Sequence, residues 1–188
     1  MPDVPARASR SDAVANRERI VAAARAALVD APESADDLKL HLVAKAAGVG
    51  QGTLYRHFPT RGHLLAEVYR EEMGELVDTV PGLIAAHPPV EALVRWFDRL
   101  VAYARVKRGV MAAIEASAWQ DLYADQHGRL HDALTALLDH GRAAGELRED
   151  ADATDVILLL GALSRVPAAE WEPRARTLVT VIADGLRR

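Results

Sequence analysis

The chain has 188 residues, half of them hydrophobic but only nine aromatic (Phe 2, Tyr 4, Trp 3), and it contains no cysteine. A core that depends on Ala, Leu and Val favours packed helices over a β-sandwich, and the lack of cysteine excludes disulfides, thiolate metal sites and cysteine nucleophiles. No stretch approaches the roughly 20 apolar residues of a membrane span, so we expect a soluble, cytoplasmic protein with no membrane partner.

Charge is unevenly distributed along the chain. Residues 1–62 carry nine Lys and Arg against seven Asp and Glu (net +2), whereas residues 63–188 carry fourteen against twenty (net −6). A basic head on an acidic body is the pattern expected when one end of a protein faces phosphates. An excess of two positive charges is small, so by itself it is weak evidence that residues 1–62 bind nucleic acid.

The spacing of apolar residues predicts an all-α chain of about nine helices. Residues 1–10, with two Pro and two Arg, are expected to form a flexible arm. Gly48 should end the second helix, and Thr60 should cap the fourth. The first four predicted helices cover about 12–30, 38–47, 51–57 and 61–79, and the stretch 82–87 is ambiguous. The fifth helix starts at Pro88-Pro89 and stops before Gly109, and the sixth and seventh cover about 110–118 and 120–143. The eighth is capped by Asp152 or Thr154, and the ninth covers about 172–187.

Two short helices joined by Gly48-Val49-Gly50 match a helix-turn-helix, in which the second helix enters the major groove of DNA and the first crosses the backbone. The segment 42–61 reads LVAKAAGVGQGTLYRHFPTR and closely resembles the TetR family. Residues 144–150 (AGELRED) and the helix order also resemble that family, strongly to about residue 70 and more loosely beyond. Among relatives, the motif is most similar to actinobacterial members.

The resemblance implies two domains. Residues 1–60 would form an N-terminal arm and a three-helix helix-turn-helix head, and residues 61–188 a helical ligand-binding and dimerisation body. Within the head, the family's positions matching Tyr55 and His57 contact phosphates, for which a phenol hydroxyl and an imidazole N–H are suitable donors. Arg61 begins the fourth helix, where its charge and the helix N-terminus can hold one phosphate together.

Base contacts are expected at the entering end of the recognition helix. Gln51 can address adenine, the methyl group of Thr53 can touch thymine, and Gly52 lets the backbone approach closely. His41 occupies a second-helix position that often reaches bases in the family. Lys39 stands where the family usually has a capping Ser or Thr, so a phosphate contact there would be electrostatic.

The head also has structural alternatives. Tyr55 could instead close the core of the small head, while Leu54 and Phe58 are expected to face inward. Four arginines of the arm and first helix either meet DNA or form a solvated face. They are Arg7, Arg10, Arg17 and Arg19.

The body is expected to form a homodimer. Its last two helices are too apolar for the surface of a lone monomer, which predicts a four-helix bundle with a symmetry mate. The alternative is that the eighth helix is simply central in its own subunit. The predicted interface residues are Ile157, Leu160, Leu163, Leu178 and Ile182.

A ligand cavity is predicted where the fifth to seventh helices concentrate the body's large rings; ordinary core is the alternative. Two histidines are the candidate polar contacts. The predicted pocket residues are Trp96, Tyr103, Trp119, Tyr123, His127 and His131.

These features predict a transcriptional regulator that binds double-stranded DNA at an inverted-repeat operator and responds to a small-molecule effector. Repression is the family's common mode, with release when the ligand moves the fourth helix. We expect no catalytic residue, no metal and no cofactor.

The alternative is a small helical metal-binding protein or enzyme that uses His127 and His131, which are spaced i, i+4. Asp121 and Asp125 lie one turn away on nearly the same face. However, Gly128 replaces the glutamate of a His-Glu-x-x-His zinc hydrolase, and the chain has no nucleophile elbow and no phosphate-binding glycine loop.

Overall fold

The computed structural model describes the backbone of residues 10–30, 38–113 and 116–188, and the side chains of 11–28, 38–104, 127–167 and 169–188. In those parts of the chain the only β-type pairing is a single bridge between Leu147 and Arg187, and none of the helices is long and apolar enough to cross a membrane. The fold is therefore all-α, as predicted. The described residues form nine α-helices: α1 (Arg10–Asp30), α2 (Leu40–Ala46), α3 (Gln51–His57), α4 (Arg61–Asp78), α5 (Val80–Ala86), α6 (Pro89–Ala113), α7 (Ala116–Ala143), α8 (Ala153–Gly161) and α9 (Trp171–Leu186).

Two helix boundaries differ from the sequence prediction. The ambiguous stretch 82–87 forms most of α5, and α6 runs through Gly109 to Ala113, so a separate helix at 110–118 is wrong. A glycine inside a helix costs only about 1 kcal/mol relative to alanine. The long helix tolerates that cost because α6 packs against α4, α5, α7 and α9.

Helices α1, α2 and α3 form the head. Helix α1 packs against both α2 and α3 and also reaches α4 and α6 in the body. Leu54 and Phe58 are 1% exposed, which confirms that they face inward. The apolar centre of the head consists of Ile20, Val21, Ala24, Leu28, Val43, Ala44, Leu54 and Phe58.

Gly48 closes the turn between α2 and α3 with φ +67°. Its N–H donates to the carbonyl of Lys45 at 3.1 Å, and the N–H of Val49 donates to the carbonyl of Ala44 at 3.0 Å. This pair of bonds is the Schellman pattern, which satisfies carbonyls at a helix end. A side chain would strain the backbone at this φ, so glycine sets the angle between the two helices.

Side-chain caps hold two further helix starts. The Thr60 hydroxyl accepts a hydrogen bond from the His63 N–H at 3.3 Å and caps α4. Asp152 and Asp155 form a reciprocal capping box at the start of α8. These contacts confirm the predicted Thr60 cap and select Asp152 over Thr154.

In the body, α4 is packed between the head and helices α5, α6 and α7. Trp96 of α6 is fully buried, and its indole N–H donates to the Leu76 carbonyl of α4 at 3.2 Å. Helix α9 packs mainly on α6, and α8 packs on α7 and α9. Most of the other helices of the body therefore pack around α6, and α4 connects the body to the head.

Gly48→Ala should lower the free energy of unfolding by about 1–2 kcal/mol, because a Cβ is disfavoured in the left-handed conformation. As the matched control, Gly128 lies inside α7, and an added Cβ would meet nothing within 4 Å. Gly128→Ala should therefore raise the free energy of unfolding by about 0.5–1 kcal/mol. Urea unfolding at one fixed protein concentration measures both variants, and effects of the same sign would contradict this account of the turn.

Candidate DNA-binding interface and body cavity

The outward side of α3 carries polar side chains. Gln51 and Tyr55, one turn apart, are exposed, and half of the Tyr55 surface remains accessible. Gly52 is exposed as well, while Thr53 and His57 are partly buried. Tyr55 therefore does not close the core of the head, and this alternative is wrong. The recognition helix instead presents hydrogen-bonding groups to solvent, as a major-groove reader must.

A second group of polar side chains surrounds the corner between α3 and α4. His57 lies in the last turn of α3, and Arg61, which is partly buried, is the first residue of α4. Beside it, the Thr60 hydroxyl lies 2.7 Å from Nδ1 of His63. An arginine beside the N–H groups that begin a helix is a combination suited to a phosphate.

Helix α2 contributes exposed residues on the same head. Lys39 and His41 are exposed, and Lys39 makes no side-chain capping bond at the start of α2. The replacement of a capping residue by Lys39 thus leaves this helix end without a side-chain cap. Lys45 and Arg56 are further exposed cations that sequence reasoning passed over. The spacing of Lys45, one helical turn after His41, was the signal that could have identified it.

Arg17 makes specific contacts that the sequence alternatives did not include. Its guanidinium lies 4.7 Å from the centre of the Phe58 ring and 2.9 Å from the Glu67 carboxylate of α4. It therefore joins α1 to α4. Arg19 is exposed, whereas Arg7 and the side chain of Arg10 lie outside the described residues.

A charged seam, defined by Arg17 and Arg25 of α1 with Glu67, Glu72 and Glu75 of α4, joins the head to the body. The two terminal nitrogens of Arg25 hold the Glu75 carboxylate at 2.8 and 2.7 Å, and its Nε contacts Glu72. Glu72 is only 8% exposed. Burial raises the pKa of this carboxyl, although the charge of Arg25 opposes the shift. The hydrogen bond from Arg25 to Glu75 raises the pKa of the Arg25 guanidinium.

A cavity of about 80 Å³ lies in the body between α4, α6, α7 and α8. Of the predicted pocket residues, Tyr103 and His127 line it, together with Tyr69 and Met73 of α4. Tyr103 also borders a polar cleft of about 170 Å³ that includes Arg25.

The other predicted pocket residues lie elsewhere. Trp96 belongs to the core and bonds to α4, as described above, and it lines neither the cavity nor the cleft. His131 lies 3.8 Å from the Asp132 carboxylate and does not line the cavity. Trp119 and Tyr123 lie outside the described side chains.

His127 and His131 thus have different surroundings despite their i, i+4 spacing. Asp121 and Asp125 lie outside the described side chains. Among the side chains that are described, no group of three or more His, Asp or Glu is placed to hold a metal ion.

Only some of the predicted interface residues lie near the surface of the subunit. Leu160 and Leu163 are buried within the subunit, 8% and 3% exposed, whereas Ile157, Leu178 and Ile182 are partly buried. Three other apolar residues on these two helices are exposed, and the sequence analysis did not name them as interface residues. They are Leu158, Leu159 and Val181, which are 72%, 56% and 63% exposed.

A helix-turn-helix with an outward polar recognition helix, mounted on a larger helical body, defines a DNA-binding regulator. Comparison with known families agrees. The family model described as "Bacterial regulatory proteins, tetR family" matches residues 20–68, and the model "Transcriptional regulator SbtR-like, C-terminal domain" matches residues 88–188. The chain belongs to the TetR family of transcriptional regulators.

Solved structures support the same assignment. A TetR transcriptional regulator from Streptomyces coelicolor is 39% identical, with 91% of this chain and 98% of that chain covered and a TM-score of 0.76. A TetR regulator from Mycobacterium vanbaalenii is 28% identical, with 95% and 99% covered and a TM-score of 0.71. Both organisms are actinobacteria, in agreement with the resemblance of the motif to actinobacterial members of the family.

A curated relative, a helix-turn-helix-type transcriptional regulator from Staphylococcus aureus, is 32% identical over 68 residues. The match spans 36% of this chain and 36% of that relative's length.

Tyr55→Phe and Arg61→Ala should each weaken binding to every DNA sequence and leave base preference unchanged, because phosphate contacts carry no sequence information. Arg61→Ala should also reduce the slope of log affinity against log salt by about one. Arg174→Ala on α9 removes the same charge from an exposed i, i+4 pair in the body and serves as the control. Fluorescence anisotropy on several duplexes measures these effects, and an altered base preference would show that the assignment to phosphates is wrong.

Proposed function

We propose that this chain is a homodimeric repressor that binds an inverted-repeat operator and is released by a small molecule bound in the body. The observation that carries the proposal is the position of α4. This helix begins at Arg61 beside the recognition helix, holds α1 through the charged seam, and lines the cavity with Tyr69 and Met73. The proposal needs no catalytic residue and no cofactor, and it places the protein in the cytoplasm with the DNA.

Operator recognition follows from the exposed groups of the head. The carboxamide of Gln51 can bond adenine through both its oxygen and its nitrogen, and Thr53 and His41 are the other proposed base contacts. Gly52 has no side chain with which to read a base. Because few side chains face the groove, DNA shape is expected to contribute at the remaining positions.

Dimerisation is supported by the outer surface of α8 and α9. Leu158 and Leu159 of α8 and Val181 of α9 are mostly exposed in the single chain, and the two helices pack against each other. A large exposed apolar surface marks an interaction site. A two-fold axis through this surface would bury it against its own copy. Ile157, Leu178 and Ile182 stay in the proposed interface, whereas Leu160 and Leu163 support it from the core.

We propose that a ligand bound in the cavity displaces α4, and that this displacement moves the head and releases the operator DNA. A ligand shifts the equilibrium only if it binds the free and DNA-bound conformations unequally. Met73 and Tyr69 place α4 against the cavity, and Glu72 and Glu75 place the same helix against Arg25 of α1. A displacement of α4 would therefore change the spacing of the two recognition helices.

Selection from a random DNA pool should yield an inverted repeat whose half-sites lie about one helical turn or slightly more apart. Gln51→Ala should cost about 1–3 kcal/mol and relax preference at one symmetric pair of positions. Gln126→Ala, in the body, is the matched control. An enriched motif without two-fold symmetry would contradict the proposed operator.

Light scattering at micromolar concentration should give a mass of twice the 20.4 kDa of the chain, since the interface is expected to bury well over about 1,000 Å². Leu158→Glu combined with Leu159→Glu should shift the protein toward monomer, because it buries two charges in the interface. Val14→Glu alters a 53% exposed apolar residue of the head and should leave the mass unchanged. A wild-type mass of 20.4 kDa would overturn the proposed dimer.

Arg25→Gln should weaken operator binding by a factor of about five or more, which is the low end of typical coupling between sites. The variant removes the charge that holds α1 against Glu72 and Glu75. Arg95→Gln breaks a comparable pair with Glu91 inside α6 and is the control. Anisotropy measures the affinity and circular dichroism the melting; unchanged affinity of a folded Arg25→Gln protein would show that the seam does not position the head.

A further inference from the structure

We infer that the cavity between α4, α6, α7 and α8 takes a small uncharged molecule, mostly apolar, with one hydrogen-bonding group. The inference rests on the proposed function only in treating this cavity as the effector site. It adds the chemical class of the ligand, which follows from the lining, the size of the cavity and the contrast with the neighbouring cleft.

The described side chains of the lining disfavour a charged ligand. Among the described side chains that form it there is no Asp, Glu, Lys or Arg. An ion transferred to such surroundings loses its hydration and finds no carboxylate, ammonium or guanidinium group among these side chains, which is unfavourable. The apolar part of the wall includes Met73, Leu100, Leu130, Ile157 and Leu160.

Three of the described side chains in the cavity wall carry polar groups. Tyr103 of α6 is 4% exposed and Tyr69 of α4 is 1% exposed, and their ring centres are 5.8 Å apart. His127 of α7 also lines the cavity. Hydroxyl and imidazole groups can both donate and accept, so they fit a ligand with a hydroxyl or a carbonyl group.

The size of the cavity limits the ligand. A cavity of about 150 Å³ holds benzene, whereas this one measures about 80 Å³. It therefore accommodates roughly three to five non-hydrogen atoms, and the flexible side chain of Met73 allows the wall to adapt to a slightly longer chain. A molecule this small binds weakly, with a dissociation constant expected at roughly 0.1–5 mM.

The neighbouring cleft offers the opposite chemistry. It shares Tyr103 with the cavity, and its lining includes Arg25, Glu72, Glu75 and Arg99. A charged molecule would find counter-charges in the cleft and none in the described wall of the cavity. Probes of equal chain length and different charge therefore distinguish the two sites.

The experiment uses the full-length protein and three four-carbon probes: 1-butanol, butylamine and butyrate. Saturable binding is followed by ligand-observed NMR. Butanol should bind, and butylamine and butyrate should bind at least tenfold more weakly or not at all at the same site. Ala104→Leu fills the cavity and should abolish butanol binding, whereas Ala102→Leu, which borders only the cleft, should retain it.

A second variant keeps the test valid if Ala104→Leu does not fold. Tyr103→Phe preserves the ring and removes the hydroxyl, so it should weaken butanol binding about fivefold, the usual net effect of one hydrogen bond. Two results would overturn the inference. One is the absence of saturable butanol binding; the other is a charged probe that binds more tightly than butanol and no longer binds the Ala104→Leu variant.

Operator release is measured separately, by anisotropy with each probe present. If butanol binds at the Ala104-dependent site without changing operator affinity, the ligand class stands and the proposed effector role of the cavity fails. If a charged probe acts through that site and releases DNA, the proposed function stands and the ligand class is wrong.

Discussion

Helix α4 packs into the head and the body at once, and the arrangement of everything else depends on this shared packing. It contacts α1 on one side and α6 and α7 on the other, and one continuous hydrophobic cluster includes Ile20 of α1, Val68 of α4 and Trp96 of α6. Protein interiors are close-packed and deform little. We therefore expect a movement of α4 within the body to change the position of the head.

The charged seam orients α1 on α4, which the apolar contact between the two helices does not do by itself. Burial makes the ionised form of Glu72 costly, as its raised pKa indicates, so its pair with Arg25 adds little net stability. Separating the two would nevertheless leave a buried carboxylate without its nearest counter-charge. The seam therefore favours one orientation of α1 on α4, while the apolar core supplies most of the cohesion.

Features that depend on near neighbours in the chain were predictable from the sequence. Thr60 and Asp152 cap helices through backbone groups three residues away, and Gly48 closes a turn through bonds that span five residues or fewer. The helix-turn-helix is likewise contained in one continuous segment, so its outward polar residues and its inward Leu54 followed from the motif. Helical periodicity also predicted the all-α class, because it reports which side of each helix avoids water.

The sequence by itself thus determined the all-α class, the Thr60 cap and the recognition motif, and the tertiary structure decided where α5 and α6 run and which surfaces meet. Arg17 binds Glu67 across α1 and α4, Trp96 joins the core and Tyr103 the cavity, and none of these partners is close in sequence. On α8, Leu160 turns inward while Leu158 turns outward, although both are leucines of one apolar helix. Hydrophobicity shows only that a side chain avoids water; whether its own core or a partner covers it depends on where the other helices lie.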